Sequence, residues 1–218
     1  MRTLFIGDVH GCSAELDALL KACDWKPGDR VVLVGDLVAK GPDSAGVVLR
    51  AREHGFLAVK GNHDAHVLRW HGGRAAKGKK LKPEHRQVLD TLSAADWAWM
   101  ERLPSYLRFP ELNAVAVHAG LVPGVALEEQ KEEFLFNLRS IAADGTPSKR
   151  LEAGAPWGSL WKGPELVIFG HDAMRGLQQH PFAVGLDSGC VYGGKLTAYV
   201  LPEGRFYSVP AARAYMAL

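Results

Sequence analysis

Short apolar runs that stop at a glycine and a polar cluster recur along the first 120 residues of this chain. Leu4 to Ile6 ends at Gly7-Asp8-Val9-His10-Gly11, Val31 to Val34 at Gly35-Asp36, and Phe56 to Val59 at Gly61-Asn62-His63-Asp64. Runs this short, bounded by turn residues, read as β-strands covered on both faces. Between them, Ser13 is expected to cap a helix through about Cys23 with Leu16, Leu19 and Leu20 on one face. Pro27-Gly28-Asp29 marks a turn, and a second helix is expected from about Ser44 to Glu53. Strand, loop and helix thus follow one another three times, which is an α/β pattern.

The segment from Arg69 to Arg86 interrupts this order, being glycine-rich, basic and without period. A helical stretch from about Glu84 to Leu103 then leads to a strand, Ala114 to Val117, closed by His118-Ala119-Gly120. Residues 126–164 are the least regular part. Leu166 to Phe169 follows and stops at Gly170-His171. The tail, Leu196 to Leu201 and Phe206 to Val209 around Pro202-Glu203-Gly204, reads as a β-hairpin and requires a mixed or a second sheet. There is no internal repeat. The expectation is one domain over residues 1–218, with a basic cap loop at about 69–86 and a variable segment at about 126–164.

The chemistry sits where the strands end. In open α/β sheets, ligands bind outside the carboxyl ends of the strands, where several loops converge. Five strand ends carry Asp8 and His10, Asp36, Asn62 and His63, His118, and His171. One aspartate before a helix is usually a cap, and one histidine is usually a surface or core group. Donors at five successive strand ends are a joint pattern that such roles do not account for. Asp, His and Asn without thiolate suit hard or borderline divalent metals. Six ligands drawn from these seven residues fit two ions sharing a bridging carboxylate. Two ions about 3.5–4 Å apart stabilise the entering and leaving oxygens of an in-line displacement at phosphorus, and they acidify a water to hydroxide. The residues therefore point to phosphoester or phosphoanhydride hydrolysis.

Composition is that of an ordinary globular chain, with 47% hydrophobic residues and a net charge of +2, which excludes disordered and fibrous classes. The near-neutral total conceals a local excess. Residues 69–86 hold seven basic side chains (Arg69, Arg74, Lys77, Lys79, Lys80, Lys82 and Arg86) against Glu84, while the remainder carries 19 basic and 23 acidic residues. A polyanionic substrate therefore stays open. Cys12, Cys23 and Cys190 show no CxxC spacing and read as reduced thiols of a cytoplasmic protein. No signal peptide and no apolar stretch long enough to span a membrane is expected.

The strings GDVHG, GDLVAKGPDS, GNHD, HAGL and FGHDA resemble the calcineurin-like metallophosphoesterases. The resemblance is to the branch holding serine/threonine phosphoprotein phosphatases and bacterial symmetrical diadenosine tetraphosphate hydrolases. GDLVAKGP, GNHD and the closing GLDSGCVYGGKLTAYVL are nearer the hydrolases. The resemblance covers roughly residues 1–125 and 165–210. It implies an α/β (α+β) four-layer fold, a central β-sandwich flanked by helices. It also implies that Asp8 and His10 bind a first metal, Asp36 bridges, and Asn62, His118 and His171 complete a second site. Mn²⁺ is the foremost candidate, with Co²⁺, Mg²⁺, Fe²⁺ and Zn²⁺ as alternatives. His63 would protonate the leaving oxygen, a role suited to imidazole.

Departures from the family pattern are informative. An aspartate that orients the general acid in the protein phosphatases is Ala39 here, leaving Asp64 and Asp187 as candidate partners of His63. Two phosphate-gripping arginines become Lys40 and Lys60, point charges in place of bidentate forks. A further arginine expected near the phosphate has Arg139 as its candidate, and the hydrolases' GHW is GHD, with Asp172. Arg74 and Lys77 of the basic loop are expected to grip outer phosphates or adenosine.

The leading reading is symmetrical hydrolysis of diadenosine tetraphosphate to two ADP. The rival is a phosphoprotein (Ser/Thr or Tyr) phosphatase using the same site. An RNA 5′-end processing or binding protein is the alternative of another class. A nucleoside polyphosphate partner, with no membrane, is expected.

Overall fold

The computed structural model describes residues 1–74 and 80–217. Strand β1 (Thr3–Ile6), helix α1 (Ser13–Ala22), β2 (Arg30–Leu33), α2 (Ser44–Glu53), β3 (Leu57–Ala58) and α3 (Asn62–His71) form the three strand–loop–helix units. Ser13 is the first helical residue of α1 and not its cap. Its hydroxyl instead donates to the Asp43 carboxylate at 2.6 Å, and that carboxylate caps α2 by accepting from the Gly46 amide at 2.8 Å. Helix α3 continues through Arg69, because Ala65, Val67 and Leu68 bury one face. The aperiodic segment is therefore shorter than expected. Lys77, like Lys79, lies outside the described residues.

The expected helix over 84–103 is two helices, α4 (Pro83–Thr91) and α5 (Ala94–Glu101). Leu92 is extended, and Ser93 caps α5 in a reciprocal pair: its Oγ accepts from the Asp96 amide while Asp96 accepts from the Ser93 amide. Strands β4 (Tyr106–Phe109) and β5 (Ala114–Val117) follow. Residues 126–164 carry more structure than their sequence suggests, namely α6 (Glu132–Asn137), β6 (Ser140–Ile141), β7 (Pro147–Ser148), β8 (Ala155–Pro156) and α7 (Trp157–Leu160). Two-residue strands are too short to show a period. The chain closes with β9 (Leu166–Phe169), β10 (Gln178–His180), β11 (Ala183–Gly185), β12 (Lys195–Leu201) and β13 (Arg205–Pro210).

Among the described residues the strands form two five-stranded mixed sheets, ordered β13-β12-β1-β2-β3 and β10-β11-β9-β5-β4, and a small sheet β7-β6-β8. Alternation along the strands builds the layers. Phe5 and Val32 from one sheet meet Ala114, Ala116, Ile168 and Val184 from the other inside the sandwich. Phe5 packs edge-on against Phe109 with centroids 5.4 Å apart. Their neighbours Leu4, Ile6, Val31 and Leu33 face outward to Leu16 and Val47 of the helices. On the far side Val117, Val167 and Phe169 pack against Leu135, Phe136 and Trp157. The result is the expected four-layer α/β architecture. The C-terminal hairpin lies antiparallel beside β1, while β1, β2 and β3 are parallel, as are β5 and β9. His118, just after β5, reaches the Val34 carbonyl just after β2, so the parallel strands of both sheets end at the same side of the sandwich.

Candidate metal centre

Two loops at those strand ends brace one another. The His10 amide donates to the Asp36 carbonyl and the Gly11 amide to the Leu37 carbonyl, both at 2.8 Å. His10, Asp36 and His171 each hold a positive φ, of 46°, 48° and 70°. Non-glycine residues rarely do so, and such strain concentrates where a side chain must be aimed. Residue type alone does not reveal it.

Asp36 lies at the middle of the donors. Its Oδ2 is 3.4 Å from His10 Nε2 and its Oδ1 is 3.6 Å from His118 Nε2. Its Oδ1 also accepts the His63 amide at 2.9 Å. Asp8 accepts the His171 amide at 3.0 and 3.2 Å. Asn62 Oδ1 faces both His118 Nε2 at 3.0 Å and His171 Nδ1 at 3.1 Å. The structure therefore brings Asp8, His10, Asp36, Asn62, His63, His118 and His171 to one place.

Their chemistry fits bound cations. His118 Nδ1 donates to the Val34 carbonyl at 3.0 Å and His10 Nδ1 to the Val38 carbonyl at 3.2 Å. Each bond fixes the tautomer, so both Nε2 atoms present lone pairs to the cleft. A lone pair on His118 then confronts an acceptor oxygen of Asn62, and a cation between them resolves the repulsion. On His10, the Lys40 ammonium at 2.9 Å occupies that role. Among the described residues, His171 Nε2 is buried without a hydrogen-bond partner. Two sets of ligand atoms lie within 4.8 Å of one another, His10 with Asp36 and His63, and Asp8 with Asp36 and His118. Asp36 is common to both.

The electrostatics agree with this arrangement. Burial, then the carboxylates of Asp187 and Asp36, push Asp8 well above the usual carboxylate range. Burial also opposes ionisation of Asp36, but the imidazoles of His118, His63 and His10 hold it well below that range. Burial lowers His10 to about 4 despite the pull of Asp36, which keeps its Nε2 unprotonated.

Neither carboxylate suggested for orienting His63 does so. Asp64 accepts the amides of Leu37 (3.0 Å), Val38 (3.3 Å) and Gly61 (2.9 Å), and Asp187 accepts that of Gly189. His63 Nδ1 instead meets His85 Nε2 at 2.9 Å, a contact that sequence spacing did not indicate.

Lys40 and Arg139 line the metal cleft, which holds about 220 Å³ and also includes Asp187 and Tyr192. Arg139 Nη2 donates to the His171 carbonyl at 3.2 Å, and its Nε stands 3.7 Å from Asp172. Asp172 also receives Arg175 at 2.6 Å. The residue that departs from the family pattern is thus hydrogen-bonded to one arginine and ion-paired with a second. Lys60 and Arg74 are not at the metal residues. They line a separate cleft of about 600 Å³ together with Arg69. A third cleft, about 520 Å³, connects the two: it shares Asn62 and His63 with the metal cleft and Arg69 with the other.

Two sheets face to face, with Asp, Asn and His side chains that could hold metal ions gathered at their shared strand ends, have the arrangement of a metallophosphoesterase. The chain belongs to the calcineurin-like phosphoesterase family, whose sequence model matches residues 1–205. It is 31% identical to the symmetrical bis(5′-nucleosyl)-tetraphosphatase of Chromohalobacter salexigens, over 97% of this chain and 98% of that one. It is 27% identical to an asymmetrical bis(5′-nucleosyl)-tetraphosphatase of Oceanobacillus iheyensis, over 100% and 95%. A crystal structure provisionally assigned as a diadenosine tetraphosphatase superposes with a TM-score of 0.88 at 41% identity, covering 96% of this chain and 93% of that one. Among the described residues no helix is long and apolar enough to cross a membrane.

Proposed function

We propose that this protein is a divalent-metal-dependent hydrolase that cleaves diadenosine tetraphosphate symmetrically into two ADP. The observation that carries the reading is the run of connected clefts leading away from the metal residues, with Lys40 and Arg139 at one end and Arg69, Lys60 and Arg74 beyond. A monophosphate fills the first cleft alone, whereas a polyphosphate with a nucleoside at each end has use for all three. Similarity to tetraphosphatases supports the same substrate class.

In this reading Asp8, His10 and Asp36 hold one ion, and Asp36, Asn62, His118 and His171 hold another, Mn²⁺ foremost. Bound ions supply charge neutralisation at the phosphoryl oxygens and a more acidic water. The chain's own residues do the rest. Lys40 attracts the phosphate under attack, and Arg139 adds a guanidinium placed by hydrogen bonds to the His171 and Lys149 carbonyls and by its ion pair with Asp172. Lys60 and Arg74, with Lys77 outside the described residues, attract the outer phosphates. His63 donates a proton to the leaving oxygen as the P–O bond breaks. Burial keeps the resting His63 neutral, only partly offset by Asp36. A neutral imidazole still carries one N–H, and an arriving phosphate anion favours the protonated ring. Free, buried cysteines at Cys12, Cys23 and Cys190 suit a reducing cytoplasm.

Product analysis tests the proposal. The Mn²⁺-loaded protein is expected to convert diadenosine tetraphosphate to ADP alone. Predominant AMP and ATP would place it with its asymmetrical relative, and greater efficiency on phosphopeptides would reverse the substrate order.

A further inference from the structure

A substrate with a nucleoside at each end needs room for two bases, and the clefts beyond the metal residues accommodate one. His63 lines both the metal cleft and the 520 Å³ cleft next to it, so a leaving oxygen on the His63 side sends the departing half toward Arg69. The other half stays bonded to the phosphorus under attack. It has to lie along a different wall of the metal cleft.

Composition marks that wall. The described lining of the metal cleft is Asp, Asn, His, Lys and Arg except at Ala173, Met174 and Tyr192, and none of these three lines the clefts beyond. Met174 is 60% exposed, so most of its side chain adds nothing to the core. Tyr192 is half-buried and packs on one side against the helix-covered core. The Lys40 ammonium lies over its ring, 5.3 Å from the centroid, and 2.9 Å from His10 Nε2. One cation thus links the aromatic ring to the metal residues. A phosphate drawn into the cleft attracts that ammonium and uncovers a ring face for a base.

Both side chains stand on braced backbone. The Tyr192 amide donates to the Gly189 carbonyl at 3.0 Å, and Tyr192 forms an antiparallel bridge with Ala214. The amides of Tyr215 and Met216 donate to the Val191 carbonyl at 2.9 and 3.1 Å. Tyr215 Oη and the Ala212 amide donate in turn to Glu15 Oε1 on α1, at 2.8 and 3.0 Å. Residues 211–216 therefore clamp the loop that carries Tyr192. Met174 sits in a turn closed by the Arg175 and Gly176 amides, each 3.0 Å from the Asp172 carbonyl. A surface ordered before binding loses little freedom when a ligand arrives.

We propose that Tyr192 and Met174 form the subsite for the purine of the ADP half that stays on the attacked phosphorus. Tyr192 offers a ring face for stacking, and the Met174 thioether packs against the same base. Stacking reads a flat π-face and not the donors and acceptors on its edge. The subsite therefore takes adenine and guanine alike, and pyrimidines less well. This inference rests on a dinucleoside polyphosphate as substrate and names the side chains that hold one of its bases.

Competitive inhibition of aryl phosphate hydrolysis by the Mn²⁺-loaded protein isolates the contribution of the base. ADP and methyl diphosphate carry the same two phosphates, and only ADP carries a nucleoside. ADP is expected to bind the native protein about tenfold tighter, the scale of one stacked base. GDP should behave as ADP does, and UDP should bind less well. In Tyr192→Ala the advantage of ADP over methyl diphosphate is expected to fall to about twofold or less, while Tyr192→Trp keeps it. Met174→Ser, at an exposed position that leaves the core intact, should reduce the advantage about threefold. It decides the matter if Tyr192→Ala disturbs the loop. An undiminished ADP advantage in either variant, or none in the native protein, overturns the proposal. AMP and ATP as the native products would overturn symmetrical cleavage instead, and the ADP comparison would still decide the Tyr192 subsite.

Discussion

The amide of His63 donates to Oδ1 of Asp36 across 2.9 Å, tying the first turn of α3 to the carboxylate at the end of β2. Gly61 permits this approach, because a Cβ there would overlap the Asp36 amide nitrogen and Oδ1. Gly61→Ala is therefore expected to destabilise the fold by about 1–3 kcal/mol and to displace the whole N-terminus of α3. A shift of about 1 Å costs on the order of 10²-fold in rate. Urea denaturation and kcat/KM on diadenosine tetraphosphate measure both effects. Native kinetics in the substituted protein would show that the Asp36–α3 junction does not set the site geometry.

Asp8 illustrates a conflict between stability and metal binding. Its carboxylate is buried beside Asp36 and Asp187, and a bound cation relieves that crowding. Mn²⁺ at about 100 times its dissociation constant is expected to stabilise the native protein by about 2.7 kcal/mol. Asp8→Asn removes one charge while keeping an acceptor for the His171 amide. Without metal its thermal midpoint should equal or exceed the native one, and the Mn²⁺-dependent rise should disappear. A full Mn²⁺ shift in Asp8→Asn would take Asp8 out of the ligand set.

Asp172 holds Arg175 at 2.6 Å and stands 3.7 Å from Arg139 at the cleft. Asp172→Ala is expected to raise KM about tenfold by releasing Arg139, whose own contact with the phosphate is on the scale of one charge-assisted hydrogen bond. Arg139→Ala alone should do the same, and the double variant should be no worse than either. Additive losses would mean that the two act separately.

What could be read from the sequence follows from how local each signal is. Ser44–Glu53, Ala114–Val117 and Leu166–Phe169 occupy the ranges expected, because each is a periodic or wholly apolar segment with a polar stop. The strand-end donors were legible for the same reason, each being adjacent to an apolar run. His85 was not, since its contact with His63 depends on how α4 packs on α3 across an aperiodic connection. Which cleft Lys60 lines was not legible, because adjacency to Asn62 says nothing about which side of the backbone a side chain takes. The small sheet of β6, β7 and β8 leaves no period to find.

Asp96 supplies a pH-dependent element of stability. Burial works against its ionisation, but the hydroxyl and amide of Ser93 and the guanidinium of Arg52 hold its carboxyl below the usual range. A depressed carboxyl contributes stability above its unfolded value, near pH 3.9, and loses it as pH falls toward the folded value. Asp96→Ala is expected to cost about 1–2 kcal/mol at pH 7, from the lost cap and ion pair. That difference should shrink below about pH 4. Denaturation at the two pH values checks it, and a pH-independent difference would assign the effect to packing.

The distance of Arg69, Lys60 and Arg74 from the metal residues separates binding of the long anion from chemistry at one phosphate. Replacing the three by serine is expected to raise KM for diadenosine tetraphosphate at least about tenfold. kcat on a small aryl phosphate, which reaches only the metal cleft, should be unchanged. Salt weakens attraction between exposed charges, with a screening length of about 8 Å at physiological ionic strength. The native KM for the tetraphosphate should therefore rise with KCl more steeply than that of the triple variant. Equal salt dependence in the two proteins, or an equal loss on both substrates, would mean that these clefts take no part in holding the polyphosphate.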